Sequence, residues 1–218
     1  MVDPERVLTE AGCAVLARLP QVGLGPDVYL AGGTGLALHL GHRVSVDFDF
    51  FSAHNGLSLV DRADLVRRCR AVDPDMVVVL DQDGTLGVRL GGVDVSFYRY
   101  DVALLEPLVA FAGLAVASVP DIAAMKLAAV VGRGGKKDFV DIHRLLRERP
   151  LSVWLDGAVR KFVGVRDFRT AALRALVYFD DAEAEPLPRM VEKVDWQRLK
   201  AELRLAVAEV ARADYGLG

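Results

Sequence analysis

The fold is decided by the stretch Leu30-Ala-Gly-Gly-Thr-Gly-Leu-Ala-Leu-His-Leu-Gly-His-Arg-Val-Ser-Val-Asp-Phe-Asp-Phe-Phe51. A short buried strand is predicted at 27–31, and Gly32-Gly33 ends it. Thr34 is then placed to act as the N-cap of a short helix. Residues 44–50 alternate strictly between apolar and polar, which is the period of a half-buried strand. A strand, a glycine turn, a helix and a second strand in this order predict a mixed α/β unit.

The second of these strands carries two carboxylates, Asp47 and Asp49, on one face and about 7 Å apart. Their mutual repulsion is relieved by a divalent cation. Mg²⁺ prefers carboxylate and phosphate oxygens, and one or two carboxylates plus the substrate's phosphates commonly hold it. Two Asp residues at this spacing are also typical of the water-exposed face of a strand, so the pair alone does not decide between the two interpretations.

The residues around the pair favour a phosphate site. Backbone N–H groups of Gly32, Gly33 and Thr34 at a helix N-terminus can hold phosphate oxygens, and the Thr34 hydroxyl can add a bond. An ordinary strand-to-helix turn is the alternative. Arg43 directly precedes the acidic strand, where its guanidinium suits either a triphosphate contact or a pair with an Asp. Together these features predict a phosphate cradle beside a metal site.

A second group of charges lies in the back half of the chain. Lys126 is the single charge in the apolar run 122–131, and either it snorkels from a helix surface or it offsets charge on a triphosphate. Asp138 and Asp141 lie three residues apart on one side of a predicted helix, and Lys137 and Asp141 have the spacing of a helical ion pair. An ion pair within the helix explains Lys137. It does not explain why so many charged residues lie around 132–135.

The bulk composition places limits on the function. The chain has 218 residues, 52% of them hydrophobic, and a formal net charge of −3. This charge argues against a protein that coats nucleic acid through broad backbone neutralisation. Cys13 and Cys69 are expected to be reduced core thiols rather than a disulfide or a metal site. No segment has the length of a membrane span and the start does not resemble an export signal, so we expect a cytoplasmic protein without membrane contact.

The order of predicted elements gives an α+β organisation. A small mixed β-sheet of about five strands, flanked by helices, is predicted for an α/β core at 1–113. A helical C-terminal lobe is predicted for 114–218, packing against the core across a nucleotide cleft. Its helices are expected at 121–131, 137–148, 152–162, 167–178 and 195–213.

Two blocks of this sequence resemble the AbiEii/AbiGii toxin nucleotidyltransferases, a branch of the DNA polymerase beta-like nucleotidyltransferase superfamily. The stretch 30–51 is similar to the family's first motif, a Gly-Gly-Thr turn followed by the Asp-x-Asp metal site. The segments Asp121-Ile-Ala-Ala-Met-Lys-Leu-Ala-Ala and Arg133-Gly-Gly-Lys-Lys-Asp-Phe-Val-Asp-Ile are similar to its later lysine and aspartate motif. The resemblance runs from about residue 25 to Tyr178-Phe-Asp-Asp-Ala-Glu.

This resemblance implies a nucleotidyltransferase fold and a role for each motif residue. Asp47 and Asp49 would bind Mg²⁺ or Mn²⁺, and Lys126 would contact a nucleoside triphosphate (NTP), for example ATP. Asp141 would be the essential acidic residue of the later motif, acting as a base toward the acceptor hydroxyl. Asp94, on a neighbouring strand, is either a third metal ligand or a solvent-facing residue. For phosphate and RNA binding we expect basic residues at Arg133, Lys136 and Lys137.

The leading functional hypothesis is transfer of a nucleoside monophosphate to RNA. The resemblance implies modification of the tRNA 3′ end by a toxin, or an abortive-infection effector, of a toxin–antitoxin system with a cognate antitoxin as partner. One alternative is nucleotidyl transfer to a protein or small molecule through the same site. The other is a non-catalytic nucleotide-binding regulatory module, which would bind nucleotide without turnover.

Overall fold

The computed structural model describes residues 1–52, 54 and 56–216. The chain divides into two compact units, Met1–Ser118 and Val119–Gly218. The second unit begins later than the boundary suggested by the sequence, because 114–116 form a strand of the first unit's sheet. The first unit is mixed α and β, and the regular elements described in the second are all helices.

The sheet of the N-terminal unit has seven strands among the described residues, in the order β3-β4-β5-β2-β1-β7-β6. Sequence patterning predicted about five, and it missed the two three-residue strands β6 and β7, which are too short to show a period. Parallel pairs join β2 to β5 and β1 to β7, and the other pairs are antiparallel. The strands are β1 Val28–Leu30, β2 Asp47–Ser52, β3 Val77–Gln82, β4 Thr85–Leu90, β5 Val93–Arg99, β6 Val109–Phe111 and β7 Leu114–Val116.

The helices of this unit are α1 Glu10–Arg18, α2 Gly32–Leu40 and α3 Leu59–Val72. The apolar spacing over 4–19 predicts one continuous helix, and this prediction is wrong at its start. Pro4–Arg6 forms a separate 3₁₀ turn, and the Thr9 hydroxyl caps α1 by accepting a bond from the Gly12 N–H. Gly41 ends α2 in the left-handed conformation, as glycine readily does.

One face of the central sheet is buried in the core. Phe48 and Phe50 of β2 and Val95 of β5 are at most 1% exposed. Because successive side chains of a strand point to opposite faces, Asp47 and Asp49 lie on the other face and are partly exposed. The burial of alternate phenylalanines therefore fixes which way the acidic side chains point.

The helices of the C-terminal unit follow the predicted pattern, with boundaries shifted by a few residues and with the additional short helix α8. They are α4 Val119–Gly132, α5 Lys136–Leu145, α6 Leu151–Lys161, α7 Phe168–Ala175, α8 Asp180–Glu183 and α9 Trp196–Tyr215. Helix α4 packs on α5, α6 and α7. No helix in the described part of the chain is both long and apolar enough to cross a membrane.

Candidate active site

The acidic face of β2 is built as the alternation predicted, but the strand begins at Asp47 rather than at 44. Residue Ser45 makes an isolated parallel bridge with Leu8 instead. Its hydroxyl lies 3.4 Å from Asp47 Oδ1. Asp47 and Asp49 are thus adjacent carboxylates on one face of one strand, with a hydroxyl beside the first.

Gly32 is required because the helix N-terminus approaches the Asp49 carboxylate closely. Its φ is +59°, and a Cβ atom at this position would lie 2.7 Å from Asp49 Oδ2. The backbone of the same turn is also bonded to the acidic strand, since the Ala31 N–H donates to the Asp49 carbonyl at 3.0 Å. A residue with a Cβ atom at this position would therefore require the Asp49 carboxylate or the turn to shift.

Gly33 is needed for a second close approach, that of Arg43. A Cβ atom at Gly33 would lie 2.3 Å from Arg43 Nη2. The Arg43 side chain is buried, and its Nη1 lies 3.4 Å from the Val44 carbonyl. The guanidinium therefore supports the glycine turn from inside. The two roles predicted from the sequence, a triphosphate contact and a pair with an Asp, stay predictions.

Thr34 has a different local role from the predicted one. Helix α2 begins at Gly32 with Ala31 at its N-cap position, so Thr34 lies inside the first turn. Its side chain is buried, and its hydroxyl donates to the backbone carbonyl of Asp47. A hydroxyl proton engaged in this way is not available to a phosphate. Thr34 instead connects the glycine turn to the acidic strand.

Asp94 lies directly across from Asp47 in the parallel pairing of β2 with β5. Cross-strand partners share a face, so both carboxylates are on the acidic side of the sheet. Arg89 Nε lies 2.7 Å from Asp94 Oδ1, in a pair whose side chains are both about half exposed. Within the described residues no group of three or more His, Cys, Asp or Glu side chains is arranged to hold a metal. The geometry therefore brings together two carboxylates and leaves Asp94 in an ion pair.

The second charged cluster is in the C-terminal unit and is more buried than the sequence suggested. Lys126 Nζ lies 2.9 Å from Asp138 Oδ1 and 2.7 Å from Asp141 Oδ2. The Asp141 side chain is 0% exposed and that of Asp138 is 12% exposed. In this arrangement Asp141 contacts Lys126 and has no surface for an acceptor hydroxyl, so its contact points to positioning of the lysine.

The basic residues around the glycine loop 132–135 divide into two kinds. Arg133 and Lys137 lie on the surface, whereas Lys136 is buried. The Lys136 backbone N–H donates to Glu185 Oε2 at 2.7 Å, and its Nζ donates to the Glu183 carbonyl at 3.2 Å. Lys136 therefore holds the segment 183–185 in place. Of the three expected basic residues, Arg133 and Lys137 are the surface groups.

Sequence reasoning missed Tyr98, which lies on the acidic face of the sheet. Burial raises the pKa of its phenol, and the negative charges of Asp49 and Asp47 raise this pKa further. Tyr98 thus lies within electrostatic reach of both carboxylates. Only the alternation of β5 hinted at it, since Asp94, Ser96 and Tyr98 share one face, and no motif marks it.

A comparison with protein families identifies the chain. The family described as "Nucleotidyl transferase AbiEii toxin, Type IV TA system" matches residues 14–214. The chain belongs to this AbiEii family. An AbiEii protein is a nucleotidyltransferase of a toxin–antitoxin system, and the resemblance found in the two sequence motifs is therefore confirmed.

Individual relatives agree with the AbiEii assignment. An uncharacterized protein of Aquifex aeolicus (strain VF5), aq_aa25, is 35% identical over 177 residues, covering 78% of this chain and 82% of the relative. The MenT4 nucleotidyltransferase toxin Rv2826c of Mycobacterium tuberculosis H37Rv has a similar structure, with a TM-score of 0.61 at 20% identity. The match covers 90% of this chain and 81% of that one. This likeness shows the fold, and the predicted α+β nucleotidyltransferase class is confirmed.

Nucleotidyltransferases of this kind use an NTP and a divalent metal, and the acidic face fits such an ion in two respects. The donors of Asp47 and Asp49 are hard carboxylate oxygens, which suit Mg²⁺ or Mn²⁺. In addition, Gly32 brings the N-terminus of α2 close to the Asp49 carboxylate, where phosphate groups bound to the ion would meet backbone N–H groups. Two protein carboxylates leave the remaining ligand positions for phosphate oxygens and water, which is the usual arrangement for Mg²⁺ bound with a nucleotide.

Proposed function

We propose that this AbiEii protein transfers a nucleoside monophosphate from a metal-bound NTP to RNA, with the tRNA 3′ end as the acceptor. The observation that carries the proposal is the close fit of the glycine turn against the acidic strand. Gly32 brings the N-terminus of α2 next to the Asp49 carboxylate. Helix N-termini favour phosphate, while the carboxylate favours a cation, so this small region suits a metal–triphosphate pair.

Each residue of the turn has a defined task in this proposal. Asp47 and Asp49 hold Mg²⁺ or Mn²⁺, while the backbone N–H groups of Gly32 and Gly33 receive phosphate oxygens. Thr34 and Arg43 keep the turn in register with the strand through their buried contacts. The bound ion supplies positive charge that offsets the charge developing on the transferred phosphoryl group.

The charged cluster of the C-terminal unit, formed by Lys126, Asp138 and Asp141, also has a role in the proposal. The family motif implies a nucleotide contact for Lys126, and within the C-terminal unit Asp138 and Asp141 fix the position of its ammonium group. Arg133 and Lys137, both on the surface, bind phosphate groups of the nucleotide or the acceptor. Asp141 is thereby assigned as a positioning residue rather than as the base suggested by the motif.

The test is incubation of purified protein with each α-labelled NTP, Mg²⁺ and either total RNA, protein extract or a small-molecule extract. Label in RNA, at tRNA length and removable by 3′ exonuclease, supports the proposal. Label confined to protein or small molecules supports the second hypothesis, and nucleotide binding without any label supports a regulatory module. Substituting Asp47→Asn with Asp49→Asn should abolish labelling, while Asp75→Asn, an exposed loop carboxylate, should not change it.

The number of metal carboxylates is tested with Asp94→Asn. Because Asp94 is engaged by Arg89, we propose that it is not a ligand. Asp94→Asn then removes only a surface ion pair, and such pairs contribute little to stability. The Mg²⁺ concentration giving half-maximal labelling should therefore stay within about twofold of the unsubstituted value. A tenfold or larger increase would assign Asp94 as the third ligand.

The toxin role is tested in cells. Expression of the chain should arrest growth, the Asp47→Asn, Asp49→Asn double variant should not, and coexpression of the neighbouring gene in its native operon should restore growth if that gene encodes the cognate antitoxin. Growth arrest by the double variant would contradict a toxin that acts by nucleotidyl transfer.

A further inference from the structure

A row of aromatic rings crosses the acidic face of the sheet. Tyr29 of β1 pairs with Phe51 of β2, and Phe51 pairs with Tyr98 of β5. Their ring centroids are 6.2 Å and 5.2 Å apart in stacked geometry, and Tyr100 meets Phe51 edge-on at 5.4 Å. Phe51, Tyr98 and Tyr100 are partly exposed, while Tyr29 is buried.

This aromatic row lies immediately beside the carboxylate pair. Phe51 follows Asp49 by two positions on the same face, a separation of about 7 Å. The cross-strand partner of Asp49 is Ser96, which precedes Tyr98 by two positions. In a nucleotide a single sugar separates the α-phosphate from the base. A nucleotide whose phosphates lie at the acidic pair therefore has its base at the distance of the aromatic row.

The aromatic row ends at Tyr98, whose side chain is partly exposed. One side of Tyr98 stacks on Phe51. On its other side the cross-strand partner is Thr85, and the next residue on that face of β4 is Gly87. Leu80, 44% exposed, packs over Gly87, since a Cβ atom at Gly87 would lie 3.2 Å from Leu80 Cβ. Thr85 is therefore the small neighbour beside the Tyr98 ring.

We propose that the nucleobase of the substrate NTP stacks on the Tyr98 ring, on the side of Thr85. This inference rests on the proposed function, because the acidic pair must hold the phosphates. Base–aromatic stacking tolerates any base, since every base has a π-face. The Tyr98 ring therefore contributes affinity for the nucleoside part, while discrimination among the four bases needs hydrogen bonds from other groups.

The experiment separates the base from the phosphates. Binding of the α,β-methylene analogues of the four NTPs, which cannot be turned over, is measured by calorimetry with Mg²⁺, in parallel with inorganic tripolyphosphate. The variants are Tyr98→Leu, which removes the ring, and Tyr98→Phe, which keeps it. Tyr178→Leu, an exposed tyrosine of the C-terminal unit, is the matched control, and melting temperatures establish that each variant is folded.

The expected result is selective loss of base affinity. Tyr98→Leu should weaken binding of the nucleotide analogues by roughly 5- to 100-fold, the range of base stacking, and should leave tripolyphosphate binding unchanged. Tyr98→Phe and Tyr178→Leu should bind both ligands normally. Unchanged analogue binding by a folded Tyr98→Leu variant would overturn the inference, as would an equal loss for tripolyphosphate.

Failure of the proposed function has a different signature. If Asp47→Asn with Asp49→Asn binds both ligands as well as the unsubstituted protein, the phosphates are not held at the acidic pair. In that case the proposed function fails, and the base subsite fails with it. If the double variant loses both ligands but Tyr98→Leu loses neither, only the base subsite is wrong.

Discussion

Replacing Lys126 with methionine is expected to destabilise the C-terminal unit by about 3–5 kcal/mol, the usual cost of removing one partner from a buried ion pair. Lys126 lies between Asp138 and Asp141 at 2.9 Å and 2.7 Å. Methionine fills most of the volume of the lysine side chain. The loss of stability therefore comes from the two buried carboxylates, which no longer have a cation beside them. For a unit of this size the melting temperature falls by roughly 4–8 °C per kcal/mol, so the change is large.

The matched control is Lys161→Met. Lys161 Nζ lies 2.7 Å from Asp121 Oδ1, and both side chains are 0% exposed. This pair has similar chemistry in the same helical unit, but neither residue has a place in the proposed reaction. We expect a comparable loss of stability with labelling activity per folded molecule retained. Lys126→Met should instead lose at least tenfold in activity at a temperature where it is fully folded.

Urea unfolding followed by circular dichroism gives the free energies, and the labelling assay gives the activities. A stability change below about 1 kcal/mol for Lys126→Met would refute the reasoning about a buried, compensated lysine. Equal losses of activity for the two folded variants would show instead that Lys126 acts only by supporting the fold. A double change, Lys126→Met with Asp141→Leu, should recover part of the stability, because apolar replacement of both partners is often neutral.

Three further outcomes are expected. Gly32→Ala, which places a Cβ atom 2.7 Å from Asp49 Oδ2, should reduce metal-dependent labelling at least tenfold. The control is Gly23→Ala: Gly23 also has a positive φ, +67°, but a Cβ atom there would have no neighbour within 4 Å. This control should lose only about 1–2 kcal/mol of stability. Burial lowers the pKa of His39, so the folded protein favours its neutral form. The stability that His39 contributes is therefore present above about pH 6.5 and declines as the pH falls below that value. Urea titrations at several pH values should show a smaller decline for His39→Gln. Burial raises the pKa of the Cys69 thiol to about 11, so a thiol-specific reagent at pH 8 should modify the partly exposed Cys13 and reach Cys69 only after unfolding; rapid modification of both thiols in the folded protein would contradict this.

The sequence predicted the acidic strand because its periodicity is local. Alternation over 44–50 requires only neighbouring residues, and the structure places Asp47 and Asp49 on one face as expected. The β6–β7 hairpin could not be predicted in this way. Its strands have three residues each, and the hairpin joins the sheet through the pairing of β7 with β1, a contact distant in sequence.

The contacts of the site were harder to predict than its position. Thr34 is a residue type typical of an N-cap, yet its hydroxyl donates to the Asp47 carbonyl, because the helix begins three residues earlier than the pattern suggested. Lys126 was recognised as unusual from its apolar neighbours, but its two carboxylate partners depend on how α4 packs on α5. A side-chain pair across two helices leaves no mark in the local periodicity of either one.

The buried lysines of the C-terminal unit affect how an RNA acceptor would be bound. Lys126, Lys136, Lys161 and Lys200 all have acidic residues or backbone carbonyls as partners inside the fold. Ammonium groups held in this way are not placed to neutralise RNA phosphates, so they displace none of the counterions condensed on the RNA. Because the logarithm of affinity falls by about 0.7 per neutralised phosphate for each unit of log salt on single strands, the salt dependence of RNA binding should be shallower than the number of lysines and arginines suggests. Discrimination between acceptors would then depend on shape and stacking more than on long-range charge.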